Sequence, residues 1–121
     1  MTIPTRSIAI VDDDGRVLES LANLLASIGY RPYLFTSVAD LLATDALSRV
    51  CCVITDREMP RMSGLDLLAH IGRSALSVPV IVITGQLSED MESFYIRLGA
   101  AGFLRKPIDC DALCGLLQRC C

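Results

Sequence analysis

Two segments, Val50-Cys51-Cys52-Val53-Ile54-Thr55 and Val78-Pro79-Val80-Ile81-Val82-Ile83, are apolar almost throughout and lack the alternation of a half-wet strand. A strand apolar on both faces must be covered on both, which is the condition of a parallel sheet lying between layers of helices. Ser7-Ile8-Ala9-Ile10-Val11 is a third short apolar block, rich in branched side chains, and it stops at three carboxylates, Asp12, Asp13 and Asp14. Tyr30 to Phe35 and Ala101 to Leu104 supply two more strands.

Between the strands the apolar period changes to three and four. Val17, Leu18, Leu21, Leu24, Leu25 and Ile28 fall on one helical face that Gly29 can close. Ser37 is an N-cap candidate for a helix carrying Val38, Leu41, Leu42 and Leu47. A third helix begins near Gly64 with Leu65, Leu67, Leu68 and Ile71. Ser88, followed by Glu89 and Asp90, suits the exposed amides and positive dipole end of a fourth, which closes near Gly99. A fifth starts at Asp109 with Leu113, Leu116 and Leu117. Five strands alternating with five helices through short connections imply right-handed crossovers and a doubly wound α/β sheet. In such sheets the ligand site lies beyond the carboxyl ends of the strands.

The chain of 121 residues fits one domain spanning residues 1–121. Although 52% of its residues are apolar, no uninterrupted apolar run approaches the ~18 residues of a membrane span. Met1-Thr2-Ile3-Pro4-Thr5-Arg6 has the pattern of neither a secretory signal nor a transit peptide, so a cytoplasmic location is expected. A net charge of -3 gives no broad attraction for nucleic-acid phosphates, and this chain alone is not expected to bind DNA. Six cysteines without a secretory signal are expected to be reduced thiols, with Cys51 and Cys52 as small core fillers. Cys110, Cys114, Cys120 and Cys121 crowd the C-terminal segment, but there is no Cys-x-x-Cys pair to suggest zinc. His70 reads as a surface residue, and Met59 and Met62 as packing beneath the loop that contains Pro60.

Polar residues gather where the topology puts chemistry. Asp12 and Asp13 follow the first strand, Asp56 the third, Thr84 the fourth and Lys106 the fifth. Converging carboxylates repel and raise one another's pKa unless a cation joins them, and hard oxygen ligands with places left for water suit Mg²⁺. A carboxylate can act as a nucleophile toward phosphorus when a metal and a fixed ammonium neutralise the incoming charge, and Lys106 would supply that ammonium. A hydroxyl at Thr84 could then bond a phosphoryl oxygen only in the modified state, which is the difference a switch needs. Each piece alone reads more readily as a solvated helix start, a turn or a loop; their joint placement at four strand ends reverses that and selects the functional reading.

The ordered set Val11-Asp12-Asp13-Asp14, Asp56-Arg57-Glu58-Met59-Pro60-Arg61-Met62-Ser63-Gly64-Leu65, Ile83-Thr84-Gly85 and Phe103-Leu104-Arg105-Lys106-Pro107 resembles the receiver domains of bacterial response regulators over nearly the whole chain. The likeness implies a flavodoxin-like (βα)5 fold of strand order 2-1-3-4-5. It implies that Asp56 accepts a phosphoryl group from a sensor histidine kinase. Asp13, Asp56 and the Glu58 backbone carbonyl would ligate Mg²⁺, with Asp12 acting through a metal-bound water. It further implies that Thr84 and Phe103 switch together, and that Lys106 pairs with the phosphoryl group next to a cis Lys106-Pro107 bond. Phe103 reads equally as a plain core aromatic. Output would pass through the fourth helix, fifth strand and fifth helix, a surface that often mediates dimerisation in the family.

The loop after Asp56, with Thr84-Gly85, looks most like regulators of the nitrogen-fixation and nodulation type, whose output is a helix-turn-helix DNA-binding domain. No output domain lies within these residues, so a piece of a longer regulator is expected. Enzymatic activity is expected only as self-phosphorylation and autodephosphorylation at Asp56. A partner-binding domain of this shape without phosphotransfer would be expected to have lost Asp56, an acidic ligand or Lys106. A nucleotide-binding domain would favour a Gly-rich loop after the first strand. Neither pattern is present.

Overall fold

A computed structural model describes residues 6–59, 61–86 and 88–121. The reading of the first five residues as lacking a leader, and Pro60 in the loop after Asp56, fall outside those residues.

Five strands, β1 (Ser7–Val11), β2 (Arg31–Phe35), β3 (Cys52–Asp56), β4 (Val80–Thr84) and β5 (Gly102–Arg105), form one sheet of order β2-β1-β3-β4-β5. Every neighbouring pair is parallel. The helices are α1 (Gly15–Ser27), α2 (Val38–Leu42), α3 (Gly64–Arg73), α4 (Glu89–Arg97) and α5 (Cys110–Cys120). The expected architecture and strand order are therefore what the chain adopts.

Successive residues of a strand point to opposite faces, so the apolar blocks feed two cores at once. Ile8, Ile10, Cys52, Ile54, Ile81 and Ile83 pack with α1 and α5 through Leu18, Leu21, Leu25, Leu113 and Leu117. Ala9, Val11, Val53, Val80 and Val82 pack on the other face with Val38, Leu41, Leu67, Leu68, Ile71 and Tyr95. The five residues of β3 and the five of β4 are all buried, which is why neither segment alternates.

Four caps are where the side chains place them. Asp14, Ser37, Ser88 and Asp109 each accept a hydrogen bond from a backbone N–H in the first turn of α1, α2, α4 and α5. Gly29 and Gly99, at φ 97° and 106°, follow α1 and α4 in the left-handed conformation that ends helices.

Three expectations need correction. The second helix stops at Leu42, and Leu47 sits in a separate 3₁₀ turn, Ala46–Ser48. Thr44 makes the break: its hydroxyl donates to the Leu41 carbonyl at 2.9 Å and accepts the Ala46 N–H at 3.1 Å, giving the chain local partners other than the next helical turn. The central strands begin two residues later than the apolar runs and end one residue further on, at Asp56 and Thr84. Pro79 has no N–H for the ladder, although its carbonyl accepts from Val53 N–H at 2.9 Å.

The third correction concerns the cysteines. Cys51 is not a reduced core filler but is disulfide-bonded to Cys121, with Cα atoms 5.5 Å apart. A sequence separation of 70 hides this pairing from the sequence. It arises because α5 runs back along the sheet and brings its last turn to the amino end of β3. Cys52 is buried and its thiol is pushed up by that burial.

Candidate functional site

The strand ladders carry Asp12, Asp56, Thr84 and Lys106 to one rim. The Asp12 N–H donates to the Phe35 carbonyl at 3.1 Å, Arg57 N–H to Ile83 at 2.8 Å, and Lys106 N–H to Thr84 at 2.7 Å. Each residue just past a strand is thus tied to the neighbouring strand's end. Gly64 lets α3 begin close beneath: a Cβ there would lie 3.1 Å from the Asp56 carbonyl oxygen. That need for closeness is a signal the sequence offered in Gly64 without showing its reason.

Asp12, Asp13 and Asp56 each present a carboxylate oxygen within 4.8 Å of the others. Asp12 is fully buried. Its Oδ1 accepts the Asp14 N–H at 2.9 Å, while its Oδ2 has the Lys106 ammonium at 3.0 Å and no further hydrogen bond among the described residues. Lys106 Nζ also lies 3.4 Å from Asp56 Oδ1. One ammonium therefore faces a cluster with a formal charge of three carboxylates.

The titration of the site reflects that imbalance. Burial, then the nearby Asp12 charge, hold the Asp56 carboxyl above the usual carboxylate range, against the pull of Lys106 and the Glu58 backbone N–H. Burial alone would lower the Lys106 ammonium, but its contacts with Asp12 and Asp56 outweigh this and raise it. A buried carboxylate oxygen with one partner, two carboxylate neighbours and access from solvent through the exposed Asp13 fit a hard divalent cation of the Mg²⁺ kind.

Thr84 stands at the same rim, but its hydroxyl is turned elsewhere. It accepts from Arg57 Nε at 3.3 Å and from Gln86 N–H at 3.2 Å, and it donates to the Gln86 carbonyl at 3.1 Å. Phe103 is buried in β5 with its ring 5.2 Å from that of Tyr95 on α4. The Lys106-Pro107 bond is cis, as the resemblance implied. The Glu58 side chain pairs with the Arg57 guanidinium. His70 is exposed, and Met59 and Met62 pack against the core, as expected. Arg57 and Tyr95 are the residues of this region that sequence reasoning gave no role. Only their contacts identify them.

The sequence matches a family model over residues 8–118, that of the response regulator receiver domain. This chain belongs to the response regulator receiver domain family. Among curated relatives, this receiver domain is 38% identical over 112 residues to the response regulator protein TmoT of Ectopseudomonas mendocina, covering 92% of the chain and 50% of that protein. It is 39% identical over 104 residues to the transcriptional regulatory protein FixJ of Azorhizobium caulinodans, covering 86% and 49%. The chain spans about half the length of these relatives. FixJ and nodulation protein W of Bradyrhizobium diazoefficiens, 33% identical, bear out the resemblance to nitrogen-fixation and nodulation regulators. Among solved structures, FixJ-N superposes with a TM-score of 0.84 at 31% identity, covering 98% of the chain and 94% of that one. The chemotaxis protein CheY4 of Vibrio cholerae gives 0.85 at 25% identity, covering 98% and 100%.

Proposed function

We propose that this receiver domain takes a phosphoryl group from the phosphohistidine of a sensor kinase onto the carboxylate of Asp56. The P–N bond of the donor breaks as an oxygen of Asp56 bonds to phosphorus, and the histidine leaves to take up a proton. The observation that carries this reading is the contact of Asp56 with Lys106 and with two further carboxylates at one rim of the sheet. Asp12, Asp13 and Asp56, with the Glu58 backbone carbonyl, would hold Mg²⁺. Bound there, the ion supplies neutralisation of the phosphoryl charge. Lys106 offers a fixed cation to a phosphoryl oxygen, and Asp12 keeps that ammonium in place.

Beyond self-phosphorylation and autodephosphorylation the domain turns over no substrate. Its output is a change of state: Thr84 turns its hydroxyl to the phosphoryl group, and Phe103 follows on β5. The surface of α4, β5 and α5 carries that change, and α4 with its C-cap exposes Phe94, Ile96 and Leu98, apolar side chains suited to a second copy of the chain. The named transcriptional relatives support a regulator of transcription that reaches DNA through a separate output domain. No helix among the described residues is long and apolar enough to cross a membrane, which accords with a cytoplasmic partner of a kinase.

Intact-mass spectrometry tests the chemistry. With acetyl phosphate and Mg²⁺ the chain is expected to gain one phosphoryl group, and to gain none after chelation or in Asp56→Asn. Modification of that variant to the wild-type extent would refute Asp56 as the acceptor.

A further inference from the structure

Arg57 connects the acceptor rim to helix α4. Its backbone N–H is held by Ile83 at 2.8 Å, which keeps the residue beside the end of β4. From there its Nε donates to the Thr84 hydroxyl at 3.3 Å, a terminal nitrogen pairs with Glu58, and the side chain shares a cleft with Tyr95. Burial raises the Tyr95 phenol, and the nearby Arg57 charge opposes part of that rise. Tyr95 in turn packs on Phe103.

A hydroxyl has one proton and two lone pairs. The Thr84 hydroxyl has used all three, on Arg57, on the Gln86 N–H and on the Gln86 carbonyl. In this arrangement it has nothing to donate to a phosphoryl oxygen. To do so it must leave Gln86, and turning the oxygen away also gives up Arg57.

We propose that Arg57 is a positioning residue of the switch: its Nε latches the Thr84 hydroxyl on the α4 side in the unmodified domain, and modification at Asp56 must release that latch. The guanidinium then keeps its neighbours Glu58 and Tyr95, so the position of Thr84 is coupled to the aromatic pair of α4 and β5. Arg57 touches no reacting atom in this scheme; it acts through Thr84. The inference rests on Asp56 being the phosphoryl acceptor.

A four-protein cycle tests it. Beryllium fluoride with Mg²⁺, a non-covalent phosphoryl mimic, is titrated into the wild type, Arg57→Met, Thr84→Val and the double variant, with amide chemical shifts as the readout. Loss of the Arg57 charge affects both pairs alike and cancels in the cycle. Removing Arg57 is expected to favour the mimic about fivefold more with Thr at position 84 than with Val, the factor that one ordinary hydrogen bond commands. Arg57→Lys, which retains the charge without the planar Nε donor, is expected to follow Arg57→Met. Without the mimic, the Thr84 methyl resonance of Arg57→Met should lie partway toward its saturated position.

A cycle within about twofold of unity, with that methyl unmoved, would overturn the role of Arg57. A wild type that fails to take the mimic at all would overturn the acceptor reading beneath it. The two failures are thereby distinguished.

Discussion

The two ends of the parallel sheet are built on opposite terms. At the carboxyl end, Asp12 and Asp56 are buried beside Asp13, and among the described residues the Lys106 ammonium is the one partner of Asp12 Oδ2. At the amino end, Cys51 at the head of β3 is covalently joined to Cys121 after α5, and the Arg6 guanidinium donates to the Cys121 carbonyl. One end concentrates like charge that folding alone does not reward; the other fastens the last helix to the sheet. Stability and chemistry are therefore carried at separate places, and substitutions at the two ends should act with opposite sign.

The largest expected effect is at the fastened end. Reducing the Cys51–Cys121 bond, or replacing Cys121 with Ser, should lower unfolding free energy by about 3 to 4 kcal/mol, because the bond closes a long loop in the unfolded chain. Denaturant melts with and without a dithiol measure it, and equal midpoints would erase the contrast between the ends. The next effect is at the open end. Mg²⁺ at ten times its dissociation constant should stabilise the wild type by about 1.4 kcal/mol through binding to the folded state alone. A thermal melt that ignores Mg²⁺ would mean that the carboxylates form no cation site.

Asp56→Asn should be more stable than the wild type without metal, by about 1 kcal/mol near neutral pH. The folded chain holds the Asp56 proton more tightly than the unfolded chain does, so raising the pH through the carboxylate range removes a proton that folding favours. The advantage of the variant should accordingly shrink in acid and vanish below ~pH 4, where the carboxyl is neutral in both states. A variant less stable than wild type at neutral pH would show that Asp56 is held by favourable contacts instead. The smallest effect concerns the loop beside the site. Arg61 holds a φ of 73°, and Arg61→Gly should gain about 0.5 kcal/mol in a denaturant melt by relieving a left-handed side-chain residue.

Much of this was legible from the residues. Non-alternating strands required two covering layers, and the polar residues at the ends of β1, β3, β4 and β5 had nowhere to stand but one rim. Local signals such as Ser37, Ser88 and Asp109 as caps also needed no tertiary knowledge. What escaped depended on long-range contact. The Cys51–Cys121 pair is set by where α5 returns across the sheet, and the engagement of Thr84 by Arg57 depends on a side chain crossing between two strand ends. The early end of α2 lay in between, since it turns on the Thr44 hydroxyl competing for nearby backbone groups.

The most direct measurement locates the phosphoryl group itself. Treating the acetyl phosphate-modified chain with borohydride reduces an aspartyl phosphate to homoserine, which peptide mapping then places. Homoserine at position 56 alone, formed only when Mg²⁺ is present, is the expected result. Homoserine at position 12 or 13, or equal labelling without the metal, would contradict the account.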